Sequence, residues 1–240
     1  MRLSIVVPVF NEEKRLSHCL DSLLEFCRVQ DGVELIIAED GSTDGTLKIA
    51  EGYASRNSQI RVVHSPQRLG KGGGIWNGIK MAKGELAMFM DVDLSTSPDQ
   101  ILKLISAIEQ GADLAIGSRA LPGSKLAKPR SLARSFLSSG FNWLFWALFR
   151  LGIKDTQCGF KMMKIEVAKD LAPRVKTNGF AFDVDLIVKA HDRGYKMVEV
   201  PIVWTPAEGS KINLRRHTIE MAKDVLKLWL SRLEAKPPLP

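Results

Sequence analysis

The segment Leu3–Cys27, LSIVVPVFNEEKRLSHCLDSLLEFC, contains the pattern from which the fold is predicted. Its start, Leu3–Val9, is rich in β-branched residues and indicates a strand that is closed by Pro8 and the cap residue Asn11. Apolar residues then recur at helical spacing, at Leu16, Cys19, Leu20, Leu23, Leu24 and Cys27. A strand that leads through a polar turn into an amphipathic helix is the unit of parallel α/β sheets.

The same unit recurs through the first 118 residues. Further strands are predicted at Val33–Ala38, Ile60–His64, Leu86–Met90 and Leu114–Gly117. Helices are predicted between them at Thr46–Ser55, Gly72–Ala82 and Asp99–Gln110. The repetition predicts an α/β protein with a mostly parallel, Rossmann-like sheet flanked by helices, and ligand sites at the carboxyl ends of its strands.

The pattern changes after Arg119. A loop rich in proline, glycine and lysine leads to an aromatic segment, and later a helix is predicted at Val184–Arg193 and a strand at Val198–Trp204. The last predicted helix carries an apolar stripe, formed by Ile219, Ala222, Leu226, Trp229 and Leu233. The tail KPPLP, residues 236–240, is predicted to be disordered.

The composition is that of a folded soluble protein, with 45% hydrophobic and 25% charged residues in 240. The net charge of +7 is spread unevenly, because no acidic residue lies between Asp113 and Asp155. Basic residues fall in that window, at Arg119, Lys125, Lys128, Arg130, Arg134, Arg150 and Lys154. Such a window, with a second basic group near Lys211 and Arg215, suits a ligand that carries phosphate.

The cysteine pattern and the longest apolar segment bear on location. Three cysteines without a C-x-x-C pair indicate a reducing compartment and argue against a disulfide framework or a zinc site. The sequence enters a strand directly, so no signal peptide is expected. Phe136–Phe149, between Arg134 and Arg150, is too short to span a membrane. It is either a buried core helix or a helix in the bilayer interface.

Asp91 and Asp93 follow the predicted strand Leu86–Met90 in the stretch AMFMDVDLSTSP. In extended backbone, residues i and i+2 point the same way, so the two carboxylates can share a divalent cation. Hard oxygen ligands favour Mg²⁺ or Mn²⁺, with substrate phosphates in the remaining positions. The alternative is that both are turn and cap residues before the next helix.

Two further motifs end at the same edge of the sheet, VVPVFNEE (Val6–Glu13) and AEDGSTDGT (Ala38–Thr46). They would bring Pro8, Phe10, Glu12 and Asp40 around one crevice, where Asp40 could accept hydrogen bonds from a base edge and Phe10 could pack on the base. The loop GKGGG, Gly70–Gly74, matches neither the P-loop nor the dinucleotide-binding pattern.

Taken in order, VVPVFNEE, EDGSTDGT, GKGG and DVDLS resemble the family-2 nucleotide-sugar glycosyltransferases, which have a GT-A fold. The second half is similar to the dolichyl-phosphate glucosyltransferase branch, which is related to the dolichyl-phosphate mannosyltransferases. Four segments carry that similarity: GSRA (Gly117–Ala120), DTQCGFK (Asp155–Lys161), FAFDVDLI (Phe180–Ile187) and VWTPAEGSKIN (Val203–Asn213).

The resemblance implies inverting, metal-dependent transfer of a hexose from a nucleotide diphosphate sugar, with UDP-glucose favoured, to dolichyl or polyprenyl phosphate. GDP-mannose is the alternative donor. A sugar nucleotidyltransferase and a non-catalytic basic membrane-binding module are more distant alternatives, and no nucleic-acid partner is expected. The chain departs from the family in having Glu39 as the first acid of the DDGS motif. It also has Ser95 where the mannosyl enzymes commonly have glutamine, which favours glucose.

The resemblance also implies residue roles. The nucleotide sugar would be held by Pro8, Phe10, Glu12, Asp40, Lys71, Asp91 and Gln157. The catalytic residues would be Asp91, Asp93 and Asp183, with Mg²⁺ or Mn²⁺ on Asp91 and Asp93. The candidates for the acceptor phosphate come from the basic residues themselves: Arg119, Arg130 and Arg134 in the acid-free window, and Lys211 and Arg215 after Trp204.

Several of these roles have a plainer alternative. Lys71 and the acceptor-side cations could be solvated, and Asp183 could cap its helix. Asp155, Gln157 and Cys158 are sugar or acceptor contacts, or parts of a structured turn. Cys158 is not expected to be a nucleophile.

The resemblance further implies two halves of one catalytic domain. Residues 1–118 would bind the nucleotide sugar, and residues 119–235 would supply acceptor-side and membrane-interface helices. The protein would then work in the cytoplasm, peripherally attached to the cytoplasmic face of a membrane.

Overall fold

The computed structural model describes residues 2–126, 145–179, 181–206 and 214–234. Its centre is a seven-stranded sheet with the strand order β3-β2-β1-β4-β7-β5-β8. These strands are β1 (Leu3–Val9), β2 (Val33–Asp40), β3 (Ile60–Ser65), β4 (Leu86–Met90), β5 (Leu114–Ser118), β7 (Phe160–Lys164) and β8 (Met197–Pro201). A small two-stranded sheet pairs β6 (Lys125–Leu126) with β9 (Val203–Trp204).

Helices follow the strands as the sequence pattern predicts. They are α1 (Leu16–Val29), α2 (Thr46–Ala54), α3 (Lys71–Ile79), α4 (Ile101–Glu109), α5 (Ile165–Leu171), α6 (Phe182–Asp192) and α7 (Leu214–Glu234). A 3₁₀ turn, Pro98–Gln100, leads into α4. The predicted helix ends differ from these by a few residues, and α5 was not predicted.

The mostly parallel sheet is confirmed, with one insertion that the sequence pattern does not reveal. The strand pairs β1–β2, β2–β3, β1–β4 and β5–β8 are parallel. Strand β7 runs antiparallel to both of its neighbours, β4 and β5. The second half of the chain therefore supplies two strands to the sheet that the first half begins.

The prediction of one strand at Val198–Trp204 is wrong. The chain leaves the main sheet after Pro201, and Val203 pairs in the small sheet with Lys125. A proline lacks the N–H that would continue a ladder, which is consistent with the break at Pro201.

The hydrophobic core lies on both faces of the sheet. One cluster packs α1 and α4 against β1, β2 and β4, and the other packs α3, α5 and α6 on the opposite face. On the last helix, Leu226 of the apolar stripe is 48% exposed, whereas Val225 and Leu228 are buried. The face that meets the core is thus rotated by about one residue from the predicted stripe.

Only the end of the aromatic segment Phe136–Phe149 lies within the described residues. Residues 145–149 are helical, and Phe145 and Phe149 are buried with stacked rings whose centroids are 5.2 Å apart. Trp146 is 58% exposed. Among the described residues, none of the helices combines the length and the apolar character that crossing a membrane requires.

Candidate active site

The two predicted metal ligands lie at the carboxyl end of β4. The amide of Asp91 donates to the carbonyl of Gly159, 3.1 Å away, which ties the start of the acidic loop, Asp91–Ser97, to the turn before β7. Asp93 Oδ1 accepts a 2.9 Å hydrogen bond from the amide of Ser95. The Ser95 carbonyl accepts from the amide of Thr205 at 2.8 Å, so the acidic loop also touches the segment after β9.

Lys71, the first residue of α3, reaches into this acidic loop. Its Nζ lies 2.8 Å from Asp91 Oδ1 and 3.7 Å from Asp183 Oδ2. The side chain is only 19% exposed, so the solvated alternative is wrong. Burial lowers the pKa of Lys71, but the two carboxylates outweigh it and hold the ammonium charged. Burial and the neighbouring Asp93 raise the pKa of Asp91, and Lys71 opposes them.

Asp183 lies in the first turn of α6, where sequence reasoning left two alternatives. The N-cap residue is Ala181 and the cap has no side-chain hydrogen bond, so the capping alternative is wrong. Asp183 is buried and forms an ion pair with Lys161 through Oδ1, while Oδ2 faces Lys71. It thus belongs to the same charged cluster as Asp91.

Lys161 is the functional candidate that sequence reasoning missed. It is fully buried on β7, between β4 and β5. Its Nζ donates to the carbonyls of Thr156, at 3.1 Å, and Cys158, at 2.6 Å, and to the carboxylate of Asp183. The only signal in the sequence was a lysine inside the apolar run CGFKMM.

Arg119 and Asp155 form a buried, bidentate ion pair. Arg119 Nε and one terminal nitrogen lie 2.7 and 2.8 Å from the two carboxylate oxygens, and the Arg119 amide donates to Oδ2 at 2.9 Å. Burial alone would raise the pKa of Asp155, but Arg119 holds it below its usual range. Asp155 therefore orients a predicted acceptor-side cation in the structure.

The nucleotide-edge residues converge, but several already have protein partners. Both oxygens of Asp40 accept backbone hydrogen bonds, from Leu69 at 2.5 Å and Gly70 at 2.9 Å. The ring of Phe10 is covered by the guanidinium of Arg68, whose Cζ is 3.8 Å from the ring centroid. Glu12 forms a bidentate pair with Arg15 at 2.7 Å. These contacts fix the loops at this edge.

The departure at Glu39 has a structural role. Glu39 is buried, accepts a 2.5 Å hydrogen bond from the amide of Ser42 and pairs with His64. Glu39 thus fixes the loop after β2 to β3. The predicted nucleotide contact Pro8 lies nearby, opposite Ala38 in the β1–β2 pair.

The structure describes the side chains of only some of the remaining predicted residues. The amide nitrogen of Gln157 contacts the sulfur of Met221 on α7. Burial raises the pKa of the Cys158 thiol to about 12, so the thiol is protonated at neutral pH. Arg130, Arg134 and Lys211 lie outside the described residues, and Arg215 is described only as part of the backbone of α7.

The residues present fit a divalent cation. The described residues hold no group of three or more His, Cys, Asp or Glu side chains that could form a complete metal cage. Mg²⁺ and Mn²⁺ commonly take one or two carboxylates and complete their shell with substrate phosphates and water. Gly159 leaves room for the Asp91 carboxylate, because a Cβ at position 159 would overlap it.

Comparisons with known proteins identify the family of the chain. The family model described as glycosyl transferase family 2 matches residues 4–172. The chain is 34% identical over 247 residues to the dolichyl-phosphate β-glucosyltransferase of Drosophila melanogaster, which covers 97% of this chain and 76% of that protein. It is 35% identical over 240 residues to the protein of the same name from Dictyostelium discoideum, covering 94% of this chain and 73% of that protein.

The fold also matches a solved structure. Glucosyl-3-phosphoglycerate synthase from Mycobacterium tuberculosis, in complex with Mn²⁺, UDP and phosphoglyceric acid, superposes with a TM-score of 0.74 at 22% sequence identity. The match covers 99% of this chain and 80% of that one. A second structure of the same protein, with Mn²⁺, UDP-glucose and phosphoglyceric acid, gives a TM-score of 0.72 at 21% identity, covering 99% of this chain and 81% of that one. The predicted GT-A fold is confirmed.

Proposed function

The chain belongs to glycosyl transferase family 2 and is a glycosyltransferase, and we propose that it transfers glucose from UDP-glucose to dolichyl or polyprenyl phosphate. One observation carries the proposal: the turn Asp155–Gly159 holds the Arg119 guanidinium through the Asp155 carboxylate and accepts a hydrogen bond from the Asp91 amide through the Gly159 carbonyl. Carboxylates suited to a cation and a fixed guanidinium suited to an anion therefore share one crevice. A reaction between a diphosphate donor and a phosphate acceptor requires both.

On the donor side, Asp91 and Asp93 would hold Mg²⁺ or Mn²⁺ beside the diphosphate. The cation would neutralise the charge that develops on the departing UDP. Pro8, Phe10, Glu12 and the loop fixed by Asp40 would line the nucleotide, and Lys71 and Gln157 would lie toward the diphosphate and sugar. The solved structures of the mycobacterial enzyme with Mn²⁺ and UDP or UDP-glucose support this donor and cofactor.

On the acceptor side, the phosphate oxygen would attack the anomeric carbon as the bond from that carbon to the UDP oxygen breaks. Attack opposite the leaving group inverts the configuration. The second pKa of a phosphate monoester is about 6, so the attacking oxygen is already anionic near neutral pH and needs no general base. Arg119 would face it, since Asp155 holds the guanidinium along only one edge, through Nε and one terminal nitrogen.

Further acceptor contacts would come from Arg130, Arg134, Lys211 and Arg215. Asp183 would act by positioning Lys71 and not as a base, since lysines face both of its oxygens. The names of the curated relatives support a dolichyl phosphate acceptor and glucose as the sugar. GDP-mannose remains the rival donor, and Ser95 favours UDP-glucose over it.

We place the reaction at the cytoplasmic face of a membrane, where a polyprenyl chain would be embedded. The exposed Trp146, next to Arg150 in a segment of aromatic residues, suits an interfacial position. Attachment would be peripheral.

The assay that tests this function supplies purified protein with dolichyl phosphate and labelled UDP-glucose or GDP-mannose, with and without Mn²⁺. We expect label to enter the lipid from UDP-glucose, only when Mn²⁺ or Mg²⁺ is present. Label that enters only from GDP-mannose would exclude the proposed donor. Transfer to water or to free phosphate, with no labelled lipid, would exclude the proposed acceptor.

A further inference from the structure

The ammonium of Lys71 is bonded to Asp91 Oδ1, an oxygen that a metal bound at Asp91 would use as a ligand. The distance from Lys71 Nζ to Asp91 Oδ1 is 2.8 Å, which is a charge-assisted hydrogen bond. An ammonium and a divalent cation at one carboxylate repel each other, and at a separation well below the Debye length salt screens this repulsion little. The arrangement around Asp91 therefore suits either the ammonium or the metal.

The structure also supplies a second acceptor for the ammonium. Asp183 Oδ2 lies 3.7 Å from Lys71 Nζ, so a small rotation of the lysine side chain would exchange one carboxylate for the other. Asp183 itself is fixed, because its other oxygen pairs with Lys161. Lys161 is in turn held by the carbonyls of Thr156 and Cys158, and all three donors of its ammonium are used.

We propose that Lys71 is a stand-in cation, which occupies Asp91 in the metal-free protein and moves to Asp183 when the metal and the donor diphosphate bind. This inference rests on the proposed function, in which Asp91 is a metal ligand. In its new position the ammonium would remain beside the negatively charged diphosphate. Metal and nucleotide would therefore bind cooperatively, because each favours the departure of Lys71 from Asp91.

The test measures Mn²⁺ binding to the metal-free full chain in the absence of nucleotide, by electron paramagnetic resonance of free Mn²⁺. Removal of the competing ammonium in Lys71→Met is expected to lower the Kd for Mn²⁺ about tenfold. The same variant is expected to bind UDP more weakly in the presence of Mn²⁺. Opposite changes for metal and nucleotide distinguish an exchanging cation from a lysine that only stabilises the fold.

Two variants serve as controls. Lys80→Met removes the same charge from the exposed end of α3 and is expected to leave both affinities unchanged. Lys71→Gln keeps a hydrogen-bonding side chain between the two carboxylates, and it is expected to reproduce the tighter Mn²⁺ binding if Lys71→Met does not fold.

The inference is wrong if Lys71→Met and Lys71→Gln bind Mn²⁺ no more tightly than the wild type does. It is also wrong if neither the wild type nor these variants bind Mn²⁺. Asp91→Asn separates this failure from failure of the proposed function. If Asp91→Asn abolishes Mn²⁺ binding and Lys71→Met leaves it unchanged, only the exchange of Lys71 is wrong. If Asp91→Asn leaves Mn²⁺ binding intact, the metal site in the proposed function is wrong, and the exchange with it.

Discussion

At the scale of the residue, Lys161 shows how strongly a buried charge depends on its partners. It is fully buried, and two carbonyls and Asp183 accept its three hydrogen bonds. Lys161→Met would leave Asp183 as a buried carboxylate without that partner. We expect the free energy of unfolding to fall by about 3–5 kcal/mol, measured by urea denaturation.

The control for Lys161 lies three residues further along the same strand. Lys164 pairs with Asp113 at 2.8 Å but is a third exposed, so Lys164→Met should cost far less. Adding Asp183→Asn to Lys161→Met should recover part of the lost stability, because an amide is cheaper to bury than a carboxylate. Equal, small losses in the two lysine variants would contradict the structural role of Lys161.

At the residue level, the sequence predicts the location of a side chain where a motif fixes its position, and it does not predict contacts between residues that are distant in sequence. The order of the motifs placed Asp91, Asp93 and Lys71 near one sheet edge, and the structure brings Asp91 and Lys71 into contact. The Lys161–Asp183 pair joins residues 22 positions apart, on a strand and on a helix. A local sequence pattern does not reveal such a pair. The sequence therefore does not predict a role for Lys161, and it leaves helix capping open as the role of Asp183.

At the scale of the element, the glycines of α3 allow the helix to lie close to the sheet. A Cβ at Gly78 would lie 2.5 Å from Cγ1 of the fully buried Val6, whereas a Cβ at Gly74 would meet only ordinary contacts at 4.0 Å. Gly78→Ala is therefore expected to destabilise the protein by about 1–3 kcal/mol through overpacking.

Gly74→Ala is the matched control, with the same substitution in the same helix. It should be neutral or stabilise the protein by up to about 1 kcal/mol, because alanine favours a helix over glycine. Thermal unfolding of both variants measures the difference. A Gly78→Ala protein as stable as Gly74→Ala would show that α3 does not pack against β1 as described.

The sequence predicts elements better than it predicts their neighbours. Short apolar runs bounded by turn residues identified every strand of the first half, and most of these strands are buried along nearly their whole length. Strand β7 was not assigned, and its place between β4 and β5 depends on contacts between distant parts of the chain. The turn before it carries Asp155 and Gly159, and thus connects Arg119, the partner of Asp155, to the acidic loop.

At the scale of the whole molecule, the predicted halves share one sheet. Strand β5 lies between β7 and β8, and both of these strands follow residue 118 in the chain. A fragment of residues 1–118 would leave β5 without a hydrogen-bonding partner and expose apolar side chains on both faces. We expect this fragment to show no cooperative unfolding transition by circular dichroism under conditions where the full chain does; a cooperative transition would contradict the shared sheet.

The distribution of charge is also a property of the whole molecule. A chain of net charge +7 nevertheless places two carboxylates at the end of a central strand, and Arg119 from its acid-free window pairs with Asp155 in the turn whose Gly159 carbonyl meets the Asp91 amide. The proposed reaction accounts for both features, because a cation is needed for the donor diphosphate and positive side chains are needed for the acceptor phosphate. The central claim is therefore that Asp91 and Asp93 serve metal-dependent glucosyl transfer.

The most direct measurement is the initial rate of glucose transfer from labelled UDP-glucose to dolichyl phosphate in Asp93→Asn. Asp99→Asn is its control, since Asp99 is an exposed carboxylate in the same segment. Loss of a metal ligand predicts a fall in rate of at least about 100-fold for Asp93→Asn, only partly restored by excess Mn²⁺, and a normal rate for Asp99→Asn. An undiminished rate in Asp93→Asn would contradict the claim.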